Sequence, residues 1–128
     1  MAKNLLIDTD VLIDFLKGKE AAVVFLESQV MTMFISSVTV AELYAGVRDG
    51  REKVILDDFI KTFTVVPLTT DIAQKGGLHR RDYGKSCEIG LTDALIAATA
   101  EEKDLILVTL NQRHFPMITN LLVPYSKQ

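Results

Sequence analysis

Near its amino terminus the chain reads Leu5-Leu6-Ile7-Asp8-Thr9-Asp10-Val11-Leu12-Ile13-Asp14. Three apolar residues in a row, without alternation, read as a short strand buried on both faces, as in a parallel sheet covered by helices. Asp8 ends that run. From Thr9 to Leu16 the apolar residues fall at Val11, Leu12, Phe15 and Leu16, the spacing of one helical face. Asp8 therefore stands where a central strand hands over to a helix, at the carboxyl edge of the sheet. Open α/β sheets place their ligand crevice along that edge. A carboxylate there binds a cation or simply caps the helix, and Asp and Thr are both good caps. On this stretch alone, capping is the plainer reading.

A chain of 128 residues fits one domain with enough material for a real core. With 48% hydrophobic and 24% charged residues it has the composition of a folded globular protein rather than a disordered one. Its apolar runs are short and interrupted, so no segment is expected to cross a bilayer. No signal-peptide pattern precedes the first strand, and a cytoplasmic protein is expected. Cys87 is the only cysteine, which excludes an internal disulfide and a cysteine-cluster zinc site. Fourteen Lys and Arg against 17 Asp and Glu give a net charge of −3. That is no long-range footprint for nucleic acid, so any such partner must meet a local basic patch or metal ions.

Outward from the first strand, Glu20 to Gln29 reads as a helix with Val23, Val24 and Leu26 on one side. Met33 to Ile35 is a short strand, and Ser36-Ser37 are helix-start residues. The helix Val38 to Val47 carries Val40, Leu43, Tyr44 and Val47 inward, with Glu42 about one turn from its start. Arg48 to Arg51 is a loop. A helix follows over Glu52 to Phe63, with Val54, Ile55, Phe59 and Ile60 apolar. Thr64 to Leu68 is a strand whose proline suits an end or an edge. Thr70-Asp71 opens a helix carrying Ile72, Ala73 and Leu78; Gly76-Gly77 inside it points to a kink or close packing. Asp82 to Ser86 ends that helix. Ala94 to Lys103 is an alanine-rich, buried helix, with Thr92 as its cap and Asp93 in its first turn, where the helix dipole favours a carboxylate. Leu105 to Val108 is a strand, and Leu121 to Pro124 holds a short last one. This order specifies an α/β, three-layer α/β/α domain over residues 1–128 with a mainly parallel central sheet.

Asp8 and Asn111 follow strands, while Glu42 and Asp93 lie in early turns of helices. All four can converge at the carboxyl edge of one parallel sheet. Each has an ordinary reading as a cap or a solvated side chain. Together they fit a hard cation such as Mg²⁺ or Mn²⁺, which takes oxygen ligands. Several carboxylates held together without a cation repel one another. A metal-bound phosphodiester also fits, since the ion activates water and neutralises phosphate charge. The densest basic group is His79-Arg80-Arg81 with Lys85. A solvated face accounts for it; phosphate contact, shared with Arg113, is the sharper reading.

The phrases IDTDVLIDFL, SSVTVAELYAG, LTDALIAATA and LVTLNQRHF, in this order, resemble the PIN-domain family, and more closely its VapC-type toxins of bacterial toxin–antitoxin systems. The resemblance runs from Leu5 to about Phe115. It implies a PIN-like fold and a Mg²⁺-dependent endoribonuclease, with Mn²⁺ able to substitute, neutralised by a cognate antitoxin protein. By motif position, Asp8, Glu42 and Asp93 match the family's acidic metal-site residues and, with Asn111, form the expected catalytic set. Thr109 and Asn111 match the last strand end, where many PIN domains carry another aspartate, and Thr109 is expected beside the substrate. Asn111 is a weaker ligand than a carboxylate, which puts a second metal in question; Asp10 either compensates or serves the helix start. A homodimer is expected, partly from the apolar Met31, Met33, Phe34 and Tyr44. Two rivals remain: a non-catalytic PIN-like module that binds RNA or protein, and a haloacid-dehalogenase-type phosphatase, because Asp8-Thr9-Asp10 after a strand mimics its nucleophile and acid/base pair.

Overall fold

The computed structural model describes residues 4–29 and 32–126. Strand β1 (Leu5–Ile7) is wholly buried and runs parallel to β2 (Met33–Ser36) on one side and β4 (Ile106–Val108) on the other. With β3 (Thr64–Val66) and β5 (Leu121–Leu122) the sheet has the order β3-β2-β1-β4-β5, and every pairing is parallel. Chain order runs outward from β1 to β3 and then jumps back to β4. The gap between the carboxyl ends of β1 and β4 is thus a topological switch point, where such sheets bind ligands.

Alternation along the strands builds two cores. Leu5 and Ile7 face one layer with Val11, Leu12, Leu26, Ile35, Leu43 and Leu56. That layer holds α1 (Thr9–Leu16), α2 (Glu20–Glu27), α3 (Ser37–Ala45) and α4 (Arg51–Ile60). Leu6 faces the other layer with Ile72, Ile96, Ala97, Ala98 and Phe115, from α5 (Thr70–Tyr83), α6 (Leu91–Glu102) and the segment after β4. The three-layer arrangement expected from the sequence is present. Gly76 explains half of the glycine pair: a Cβ there would stand 2.6 Å from the Leu95 side chain and 3.1 Å from its Cα. At Gly77 nothing lies within 4 Å. Close packing of α5 on α6 thus requires the first glycine only.

Several sequence expectations shift. Gly90, not Thr92, is the cap of α6: its backbone is extended, at φ −79° and ψ 167°, whereas Thr92 already lies inside the first turn. On α2, Ala22 and Leu26 are buried and Val24 is exposed. On α4, Leu56 is the buried residue, and Val54 and Ile55 face outward. Leu16 and Leu78 are likewise exposed. Met33 and Tyr44 pack against the first core and Phe34 against the second, so these three belong to the interior rather than to an apolar surface patch; Met31 lies outside the described residues. No described helix is long and apolar enough to cross a membrane.

Candidate functional site

Asp8 follows β1 directly. Its backbone N–H still reaches the Val108 carbonyl of β4 at 2.8 Å, so the sheet fixes the residue before its side chain does anything. The side chain is only 4% exposed. Asp8 Oδ1 accepts from the Thr9 N–H at 2.8 Å and caps α1, and Oδ2 accepts from the Thr109 hydroxyl at 2.7 Å. Capping and a role at the sheet edge therefore coexist in one carboxylate. Two donors do not offset its burial. Burial first, then the nearby charge of Asp10 and that of Asp93, push Asp8 up to about 7 from an ordinary 3.8. Asp93, half-buried in the first turn of α6, is the group that this effect places within electrostatic reach across the gap.

Glu42 comes from α3 on the β2 side. Its Oε1 accepts from the Thr9 hydroxyl at 2.7 Å, and the same hydroxyl bonds the fully buried Thr39 at 3.0 Å. One residue, Thr9, therefore lies between Glu42 and Asp8. A solvated glutamate would have no such tie. Asp10 takes a different partner, the segment after β4. Its Oδ2 accepts from the Leu110 N–H and from the Asn111 side-chain amide, both at 3.1 Å. Asn111 thus uses its amide as a donor to Asp10.

Thr109, expected beside the substrate, is fully buried and acts on Asp8 instead. Arg113 is exposed on the 3₁₀ turn Gln112–His114, immediately after Asn111. Arg80, Arg81 and Lys85 are exposed. Their neighbour His79 pairs with Glu101 on α6, roughly two turns, about 12 Å, beyond Asp93. Arg81 is already bonded to Asp82 at 2.8 Å. The structure therefore groups Asp8, Glu42, Asp93, Asn111 and Thr109 at one edge with Arg113 close in sequence, and ties the stretch of α5 beside Arg80 to the far part of α6.

Sequence reasoning missed Thr39 and His114. The His114 Nδ1 stands 3.3 Å from Asp93 Oδ2. Neither residue type is distinctive by itself, and each meets its partner only through the fold.

Among the described residues no three His, Cys, Asp or Glu side chains already stand together as a metal-ligand group. The donor chemistry nevertheless fits a hard cation. The edge offers carboxylate oxygens, and the two hydrogen bonds to Asp8 do not offset the burial and neighbouring charge that disfavour its charged form. A divalent ion supplies the balancing charge and inverts the local pKa logic. The phosphatase rival would also need a later acidic pair, and the adjacent Asp57 and Asp58 do not supply it: Asp57 is bonded to Tyr44 and Lys53 on the outer helices, and Asp58 lies beside Lys61.

Residues 5–119 match the PIN domain. Ribonuclease VapC10 of Mycobacterium tuberculosis is 42% identical over 125 residues, covering 95% of this chain and 93% of that protein. Ribonuclease VapC19 of the same organism is 40% identical, covering 94% and 98%. Among solved structures, a toxin-antitoxin complex from Klebsiella pneumoniae aligns with a TM-score of 0.84 at 30% identity, over 97% of this chain and 100% of that one.

Proposed function

Because the chain belongs to the PIN-domain family and stands among its VapC ribonucleases, we propose that it is the toxin of a toxin–antitoxin pair. In this reading it is an endoribonuclease that cleaves RNA phosphodiesters with a divalent cation, Mg²⁺ or Mn²⁺, at the carboxyl edge of β1 and β4. The observation that carries the reading is Asp8: a buried carboxylate pushed up to about 7 beside Asp10 and Asp93, at the switch point of a parallel sheet. A surface that only bound RNA would have no use for gathered negative charge at its centre.

Asp8 and Asp93 would hold the ion, with Glu42 joining from α3. The bound ion supplies a water of lowered pKa and neutralises charge on the phosphate. The chain's own residues do the positioning. Thr109 holds one Asp8 oxygen and Thr9 holds Glu42. Asn111 and the Leu110 N–H fasten Asp10, which anchors the loop after β4 to the start of α1. Arg113 sits where it can meet a phosphate near the scissile bond, and Arg80, Arg81 and Lys85 meet phosphates farther along the strand. Because a duplex hides its base edges, single-stranded or looped RNA is the substrate class.

A protein antitoxin and a homodimer complete the proposal. The test is expression of the chain alone, followed by assay of the purified protein on RNA. Growth arrest by the wild type, tolerance of Asp8→Ala, and cleavage that stops with EDTA are expected. Harmless expression of folded wild type, or cleavage indifferent to EDTA, would overturn it.

A further inference from the structure

The segment Thr109–His114 touches each aspartate of the edge in turn. Thr109 Oγ1 reaches Asp8 at 2.7 Å, Leu110 N and Asn111 Nδ2 reach Asp10 at 3.1 Å, and His114 Nδ1 reaches Asp93 at 3.3 Å. The first two contacts leave those carboxylates with donors that restrict their rotation. Among the described residues, His114 is the one side chain paired with the Asp93 carboxylate. It also joins the segment after β4 to the first turn of α6.

We propose that His114 is a positioning residue that sets the rotamer of Asp93 for cation binding. The inference rests on the metal-nuclease reading above. The tautomer with its hydrogen on Nδ1 makes this 3.3 Å approach attractive, and in it the ring draws Oδ2 toward His114. Asp93 Oδ1 would then be the oxygen available to a cation. Ligands oriented by such an outer partner lose roughly 10–100-fold in metal affinity when it is removed. His79 is the internal contrast: it pairs with Glu101 on α6, away from the edge, and has no part in this role.

The chemistry names its own rescue. An asparagine amide nitrogen occupies about the position of Nδ1, whereas a glutamine amide reaches about as far as Nε2. The test is Mn²⁺ binding to the purified full chain by titration calorimetry, with helicity by circular dichroism, for wild type, His114→Leu, His114→Asn and His114→Gln. Leu is expected to weaken Mn²⁺ binding about tenfold or more without loss of helicity, since His114 is part exposed. Asn is expected to restore most of that loss, and Gln less of it. Wild-type Mn²⁺ affinity in His114→Leu would overturn the positioning role while leaving the metal reading intact. Should the Leu variant unfold, equal affinity in the Asn and Gln variants would overturn it instead. Absence of Mn²⁺ binding by the wild type would remove the metal reading and this inference with it.

Discussion

Asp8 has a folded-state value of about 7 against an ordinary 3.8, so the folded protein prefers it protonated. The stability that this proton supplies is complete below about pH 4 and is lost as pH rises through about 7. Metal-free protein should therefore lose more stability between pH 4 and 8 than its Asp8→Asn variant. The difference is on the order of a few kcal/mol, each pKa unit being about 1.4 kcal/mol. Urea unfolding in EDTA at the two pH values measures it; equal losses in both proteins would show that Asp8 ionises freely. Asp8 was legible in the sequence because a carboxylate ending a buried strand has few places to go. Glu42 and Asp93 were legible only as members of a set. His114 was not, because its meaning lies in a 3.3 Å contact with a residue on another element. Thr109 was misplaced for the opposite reason: its position at the strand end was right, but the side chain turns inward to Asp8.

Helices α5 and α6 meet through Gly76, where a methyl group would stand 2.6 Å from Leu95 Cδ2 and 3.1 Å from backbone. Gly76→Ala should cost about 1–3 kcal/mol by overpacking. Gly77→Ala meets nothing within 4 Å and should gain about 0.5–1 kcal/mol from helix propensity. Opposite shifts of the urea midpoint are expected. A Gly76→Ala protein as stable as Gly77→Ala would mean that the helices do not meet as described. The sequence pair could not tell which glycine mattered, because the choice depends on where α6 crosses. The same cause shifted the reading of α4, whose periodicity offered Val54 and Ile55 while the layer buries Leu56. Strands read better: β1, β2 and β4 fell within a residue of expectation, since continuous apolar runs bounded by polar residues suit only a sheet covered on both sides. The cap of α6 moved from Thr92 to Gly90 because φ and ψ, not side-chain chemistry, decide where a helix begins.

At the scale of the molecule, the sheet order does the assembling. All strands are parallel, so residues that follow β1 and β4 arrive at one edge together with the first turn of α6. That convergence was legible from a strand–helix alternation with acidic residues at the handovers. Where Arg80 and Arg81 lie relative to the edge was not, because it depends on how α5 lies along α6. A net charge of −3 places no broad positive field around the chain. In the proposed reading, an anionic RNA would be met by local cations: side chains at the rim and a divalent ion at the centre. In that reading the carboxylates at the β1–β4 edge hold the ion for RNA cleavage. The decisive measurement is RNA cleavage by Asp93→Asn, compared with wild type in Mg²⁺ and in EDTA. The substitution keeps shape and removes charge. A folded Asp93→Asn protein with cleavage reduced at least 100-fold, to the level of wild type in EDTA, is the predicted result. Cleavage by that variant at the wild-type rate in Mg²⁺ would contradict it.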